Sequence, residues 1–136
     1  EKLAELFDMK PLLDRRTEGF SQGERMKTSL ARAVVHNPPN IVLDEPTNGL
    51  DVLATRALRE ALRALRDDAG KCIVFSTHIM QEVERLCDNV VLVSHGHTIA
   101  EGTVAALNAQ SGERDFEETF VKLAYPQVPA QAGGAA

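Results

Sequence analysis

The spacing of apolar residues divides the chain into alternating helices and strands. Apolar positions that recur every three to four residues predict helices, and short β-branched runs predict strands. The predicted helices cover residues 1–7, 22–35, 52–68, 79–87, 104–108 and 116–124. The predicted strands cover residues 40–43, 72–75, 90–93 and 98–100, and the last two flank a tight turn that is typical of a hairpin.

This order of elements predicts a layered α/β fold, because strands separated by helices pair in parallel while the helices cover the sheet. Ile41-Val42-Leu43 is apolar throughout, so we expect that strand to be buried on both faces and Cys72 in the next strand to pack in the core. In such sheets ligands bind beyond the carboxyl ends of the strands. In the second helix the expected buried positions are Met26, Leu30, Ala33 and Val34.

Composition narrows the class of protein. The 136 residues are 43% hydrophobic and 26% charged, which is typical of about one globular domain. No apolar run approaches the ~20 residues that span a bilayer, and no secretory signal is visible. The two cysteines, Cys72 and Cys87, indicate reduced thiols in a cytosolic protein. The net charge of −5 argues against sequence-independent binding of nucleic acid.

Two adjacent carboxylates, Asp44 and Glu45, follow the first predicted strand. Such a pair needs a counter-charge, and hydrated Mg²⁺ supplies one, because this ion is bound by one or two carboxylates together with substrate phosphates. Asp44 could then hold the metal while Glu45 polarises a water molecule. The alternative is that the pair merely caps the strand or the next helix, and the pair alone does not decide between them.

A histidine follows the neighbouring strand, in the run Ser76-Thr77-His78. His78 could face the same crevice, where it could donate a hydrogen bond to a phosphate oxygen or position a water molecule. The alternative is that Ser76 or Thr77 caps the next helix and that His78 has no special role.

Two loop segments carry further candidates. Phe20 to Glu24 opens the second helix, where free backbone N–H groups, the Ser21 hydroxyl and Gly23 would suit an anion. Ser21 and Glu24 also have the spacing of a capping box, which is a purely structural role. Asn48 to Asp51 is a turn, and Asp51 is a suitable N-cap for the long helix.

The order and spacing of these runs are more specific than any one of them. Phe20-Ser21-Gln22-Gly23-Glu24, Ile41 to Thr47, Asn48-Gly49-Leu50-Asp51 and Phe75 to His78 together resemble the C-terminal half of an ABC-type ATPase, over about residues 1–103. The run from Ser76 to Asp88 is similar to the ATPase subunits of sodium-efflux exporters. The resemblance implies a P-loop NTPase-like layered α/β fold that lacks its N-terminal P-loop portion.

The resemblance also implies a role for each matching residue. Asp44 would act on Mg²⁺ through water, Glu45 would be the general base or orient the attacking water, and His78 would touch the γ-phosphate of ATP. Hydrolysis would then depend on positioning and electrostatics.

The signature loop would comprise Ser21, Gln22, Gly23 and Glu24, and would grip the ATP held by the opposite subunit. Asp51 would close the D-loop between the two sites. The family usually has Gly where Gln22 stands, Gln where Glu24 stands, and Ser-Ala where Asn48-Gly49 stands. The side chain of Gln22 would narrow the approach of the phosphate to this loop. Glu24 would bring negative charge near the phosphate site unless its carboxylate turns back onto the helix start.

A P-loop motif, Gly-x-x-x-x-Gly-Lys-[Ser/Thr], is missing from these 136 residues. Its backbone cradles phosphates and its lysine offsets their charge. We therefore expect this chain alone to bind ATP weakly or not at all. Without upstream partner strands, the strand at residues 40–43 would expose an edge, which predicts self-association or poor folding of the isolated chain.

The predicted organisation follows the resemblance. Residues 1–39 would belong to the helical subdomain, residues 40–103 to the RecA-like core, residues 104–125 to C-terminal helices, and residues 126–136 to a disordered tail. The implied partners are a second ATPase subunit in a head-to-tail dimer and a transmembrane permease, at the cytoplasmic face of the membrane, with export of a solute such as sodium. The alternatives are a non-transport ABC ATPase and a non-catalytic interaction module.

Overall fold

The computed structural model describes residues 2–126, so the predicted tail lies outside the described residues except for Pro126. The chain forms two compact units with a boundary between His78 and Ile79, and each unit is described by itself. The predicted division at residues 39, 103 and 125 remains a prediction. No helix within residues 2–126 is both long enough and apolar enough to cross a membrane.

The first unit contains three helices and two strands. In chain order they are α1 (Lys2–Leu6), α2 (Gln22–Val34), β1 (Asn40–Asp44), α3 (Val52–Asp67) and β2 (Cys72–Ser76), with short 3₁₀ turns at Lys10–Leu12 and Thr17–Gly19. β1 and β2 pair in parallel, as predicted, in a register that runs from Asn40 opposite Cys72 to Asp44 opposite Ser76. The last residues of both strands therefore lie side by side.

The first unit buries only one face of its two-stranded sheet. Ile41 is buried, and α3 packs against β2 and contributes Leu58, Ala61, Leu62 and Leu65 to the core. The prediction that β1 is buried on both faces is wrong. The alternation of the strand turns Val42 outward, and its side chain is 78% exposed.

Two further burial predictions are wrong for related reasons. Cys72 is exposed, because it lies on the same outward face of the sheet as Val42 and Val74. Ala33 is exposed and Met26 is half-buried, so the buried stripe of α2 is reduced to Leu30 and Val34. Within the described residues, no element covers these positions.

The second unit is a hairpin covered by helices. It contains α4 (Met80–Leu86), β3 (Val90–Ser94), β4 (His97–Gly102), α5 (Val104–Ser111) and α6 (Phe116–Ala124). β3 and β4 pair antiparallel, which confirms the predicted hairpin, with a bulge between Leu92 and Val93. They form a sheet of their own, so parallel pairing is confirmed only for β1 and β2.

Two buried threonines differ in how their hydroxyl groups are satisfied. Thr119 donates a hydrogen bond to Asn108 Oδ1 at 2.8 Å, and its hydroxyl lies 2.9 Å from that of Ser111. The Thr47 hydroxyl is also buried, but it has no hydrogen-bond partner among the described residues. Because an unpaired buried hydroxyl costs free energy, the two positions should respond differently to its removal.

The same substitution at both threonines tests this difference. Thr119→Val leaves the Asn108 amide oxygen without its donor, so we expect the free energy of unfolding to fall by about 1–3 kcal/mol. Thr47→Val removes an unpaired group at nearly constant volume and should be neutral or stabilising. Urea denaturation of both variants measures the effect, and equal losses would contradict this assignment of the hydrogen bonds.

Candidate functional site

The parallel register brings the ends of β1 and β2 together at the predicted site. β1 ends at Asp44, and the chain turns sharply at Glu45, whose φ of 45° lies in the left-handed region. The Glu45 N–H donates hydrogen bonds to the Ser76 carbonyl oxygen at 3.2 Å and to Ser76 Oγ at 3.0 Å. The Asn48 N–H donates to the Glu45 carbonyl oxygen at 3.0 Å and closes the turn.

Ser76 contacts both acidic residues. Its hydroxyl donates a hydrogen bond to Asp44 Oδ1 and accepts the one from the Glu45 backbone. The alternative that Ser76 or Thr77 caps the next helix is wrong, because α4 begins at Met80 and its N-cap, Ile79, makes no side-chain capping bond. The contacts of Ser76 were not predicted from the sequence, although a serine paired in register with Asp44 could have indicated them.

His78 completes the group. Its Nδ1 lies 2.9 Å from Glu45 Oε2, with the histidine side chain 71% exposed and the glutamate side chain 33% exposed. A carboxylate only accepts hydrogen bonds, so Nδ1 must carry the proton in this contact. Nε2 is then a donor only when the ring is protonated. The three predicted residues Asp44, Glu45 and His78 thus lie together, while their catalytic roles stay predictions.

The start of α2 forms the predicted capping box. Ser21 Oγ accepts a hydrogen bond from the Glu24 N–H at 3.2 Å, and Glu24 Oε2 accepts one from the Ser21 N–H at 2.7 Å. The carboxylate of Glu24 therefore turns back onto the helix start. Arg15, which the sequence analysis did not single out, donates to Glu24 Oε1 at 2.8 Å.

Neighbouring groups stabilise the negative charge of the Glu24 carboxylate. The hydrogen bond from the Ser21 backbone, reinforced by Arg15, lowers the pKa of Glu24 below its ordinary value. Arg15 also lies over the ring of Phe20, 5.4 Å from its centre, which fixes the loop before α2. The signature-type segment is thus held by local contacts that do not require a ligand.

The predicted signature and D-loop residues lie next to each other. A Cβ atom on Gly23 would come within 2.9 Å of the Ala54 Cβ, so α2 and α3 approach closely at this point. The side chain of Gln22 lies beside Gly49, whose φ of 72° favours glycine. Asp51 Oδ1 accepts a hydrogen bond from the Ala54 N–H at 2.8 Å, which confirms Asp51 as the N-cap of α3.

The site residues therefore form two groups in the first unit. The carboxylate–histidine group comprises Asp44, Glu45, Ser76 and His78, and the helix-start group comprises residues 21–24 with Asp51. Among residues 2–126, no three His, Cys, Asp or Glu side chains are placed to hold a metal ion by themselves.

Comparisons with known proteins bear on the family and fold of this chain. The family described as "ABC transporter" matches residues 1–48. The "ABC transporter ATP-binding protein NatA" of Bacillus subtilis (strain 168) is 39% identical over 121 residues, which are 89% of this chain and 49% of that protein. The "Nod factor export ATP-binding protein I" of Rhizobium meliloti (strain 1021) is 46% identical over 65% of this chain and 26% of its own length.

A solved structure extends the likeness to three dimensions. A protein described as "Structure of ATP binding subunit of ABC transporter" superposes with a TM-score of 0.75 at 34% identity, over 90% of this chain and 51% of its own. The chain is similar to part of the ATP-binding domain of ABC transporters over most of its length. This confirms the predicted family and the α/β P-loop NTPase-type fold.

The chain spans about half the length of NatA and of the solved ATP binding subunit, and about a quarter of the Nod factor export protein. A dimeric ATP-binding cassette bound to ADP and Pi shares the fold with a TM-score of 0.66 at 22% identity. The assembly and ligands of that structure are properties of that protein, and they bear on this chain only as proposals.

Close packing gives Gly23 a structural role that a variant can measure. Gly23→Ala should lower the free energy of unfolding by about 1–3 kcal/mol, because the new methyl group meets Ala54 Cβ and outweighs the gain in helix propensity. Gly19→Ala is the matched control, since a Cβ atom at that position would meet no other atom within 4 Å and the backbone φ of Gly19 is negative. Thermal and urea denaturation compare them, and a Gly23→Ala variant as stable as the parent would contradict the close approach.

Proposed function

We propose that this chain supplies the hydrolytic residues of an ATP site in an ABC-type export ATPase. The observation that carries the proposal is the 2.9 Å contact between Glu45 and His78 beside Asp44, at the carboxyl ends of two parallel strands. Hydrolysis of a triphosphate requires groups that place water and neutralise charge, with little covalent chemistry from the protein. These three side chains have that chemistry.

Asp44 is the proposed residue for Mg²⁺. Asp44, Glu45 and the Ser76 hydroxyl offer hard oxygen donors, which fit Mg²⁺ and its preference for water and phosphate ligands beside one or two carboxylates. The bound ion would neutralise charge on the phosphate oxygens. Asp44 already accepts a hydrogen bond from Ser76, so its carboxylate is oriented before any ligand arrives.

Glu45 is the proposed general base, or the residue that orients the attacking water. The chain turns away from β1 at Glu45, whose φ lies in the left-handed region. One oxygen of the Glu45 carboxylate is hydrogen-bonded to His78 Nδ1. A protonated His78 would donate a hydrogen bond from Nε2–H to a γ-phosphate oxygen while its Nδ1–H stays hydrogen-bonded to Glu45. The imidazolium ring would then lie between two anions, the Glu45 carboxylate and the phosphate. The two residues would then act as one positioned unit.

The helix-start group is the proposed contact with a second subunit. Ser21, Gln22, Gly23 and Glu24 would face the ATP bound by the opposite copy, and Asp51 would close the D-loop. The Glu24 carboxylate is hydrogen-bonded to the Ser21 N–H and to Arg15, which offset the negative charge that distinguishes this segment from the usual motif. A phosphate could therefore lie near the segment despite Glu24. The proposed assembly is a head-to-tail dimer docked on a transmembrane permease at the cytoplasmic side of the membrane.

Export is the proposed direction of transport, because one similar protein is named for export of Nod factor. The resemblance of the run from Ser76 to Asp88 to sodium-efflux subunits supports the same direction. Sodium is one candidate solute. A non-catalytic module is the second candidate function, and the missing P-loop motif favours it. A non-transport ABC ATPase is a third candidate. Copurification with a permease would support transport, whereas copurification with ribosomes would support the non-transport class.

Glu45→Gln tests the catalytic proposal in a longer ATPase that joins these residues to a P-loop. We expect ATP binding to persist and turnover to fall by about 10²–10⁴-fold, because the base is lost while the shape is kept. Glu84→Gln, a change at an exposed glutamate of α4, is the matched control and should leave turnover unchanged. Full turnover in Glu45→Gln would remove this residue from its proposed role.

Titration of Mg-ATP into the 136-residue chain tests whether the chain suffices alone. We expect no binding at micromolar concentrations in calorimetry, since the lysine and the backbone cradle of a P-loop are missing from the sequence. Clear micromolar binding would show that the described residues hold the triphosphate themselves. A titration with AMP controls for binding through the base alone.

A further inference from the structure

We propose that Ser76 is a positioning residue for hydrolysis, whose hydroxyl holds the carboxylate of Asp44 and the backbone of Glu45 in their working places. This inference rests on the proposed function and adds a residue to that site. Ser76 would act through its two neighbours and would not itself touch the triphosphate.

One hydroxyl group makes both contacts. It has a single proton, which it donates to Asp44 Oδ1, and its oxygen accepts the Glu45 N–H at 3.0 Å. The two bonds cross from β2 to β1 at the point where the parallel register ends. Ser76 therefore links the proposed metal residue to the proposed base through one atom.

The backbone of Glu45 needs this support. A φ of 45° is unfavourable for a residue with a side chain, and it persists only where surrounding contacts hold it. The N–H of Glu45 has two acceptors, both on Ser76, of which the hydroxyl at 3.0 Å is nearer than the carbonyl at 3.2 Å. Without the hydroxyl, Glu45 can relax toward extended backbone and its carboxylate leaves His78.

The exposure of Ser76 makes substitutions at this position easy to interpret. The residue is exposed, so shortening it opens no cavity and lengthening it meets no packed core. Alanine removes both hydrogen bonds, whereas threonine keeps the hydroxyl. A defect confined to the alanine variant would therefore come from the lost hydroxyl and not from a change in side-chain volume.

The experiment compares Ser76→Ala, Ser76→Thr and the control Ser94→Ala in the longer ATPase with a P-loop. Ser94 carries a hydroxyl at the end of β3, away from the proposed catalytic residues in sequence. We expect Ser76→Ala to lower kcat about tenfold, as the loss of one hydrogen bond to a charged group predicts, with KM for ATP changed by less than about twofold. Ser76→Thr should restore most of kcat.

A second readout needs no activity. In the longer ATPase without nucleotide, hydrogen exchange of the Glu45 amide should become about tenfold faster in Ser76→Ala and stay unchanged in Ser76→Thr and Ser94→Ala. An unchanged kcat in Ser76→Ala, equal losses in the alanine and threonine variants, or an unchanged Glu45 amide would overturn the inference.

The two proposals can fail separately. Full turnover in Glu45→Gln would overturn the proposed function, and the exchange of the Glu45 amide would then still decide whether Ser76 holds that backbone. Collapsed turnover in Glu45→Gln together with a fully active Ser76→Ala would overturn only the role of Ser76.

Discussion

The parallel pairing of β1 with β2 is the constraint on which the candidate site depends. Its register ends with Asp44 opposite Ser76, so that a carboxylate and a hydroxyl from residues far apart in the sequence come into contact. The same register places the Ser76 carbonyl within reach of the Glu45 N–H. A shift of one residue would turn Asp44 to the opposite face of the sheet and break these contacts together.

Electrostatics then separates the two groups of residues. Asp44 and Glu45 are adjacent acids whose nearest partners are a hydroxyl and a titratable ring, so this pair keeps a capacity for a cation. Glu24 is different, because its carboxylate is saturated by a backbone N–H and by Arg15. The acid at the helix start therefore behaves as a structural cap, and the acids at the strand ends remain available for chemistry.

The sequence predicted the order and type of the elements, the hairpin, both caps and the proximity of Asp44, Glu45 and His78. These features depend on local spacing and on where parallel strands end. Burial was predicted less well, because the exposure of Val42 and Cys72 depends on whether another element packs on the outer face of the sheet, and apolar spacing alone does not contain that information. The Ser76 contacts and the Gly23–Ala54 approach depend on register and helix packing, which are properties of the assembled unit.

The most direct test of the central claim uses Mn²⁺-ATP as a paramagnetic probe of the Glu45→Gln form of the longer ATPase. If Asp44, Glu45 and His78 surround one metal-bound triphosphate, the NMR signals of the residue 44 and 45 amides and of the His78 ring should broaden strongly. The signal of His36, which precedes the opposite end of β1, should broaden far less. Equal broadening of His36 and His78, or a sharp His78 signal with ATP bound, would contradict the account.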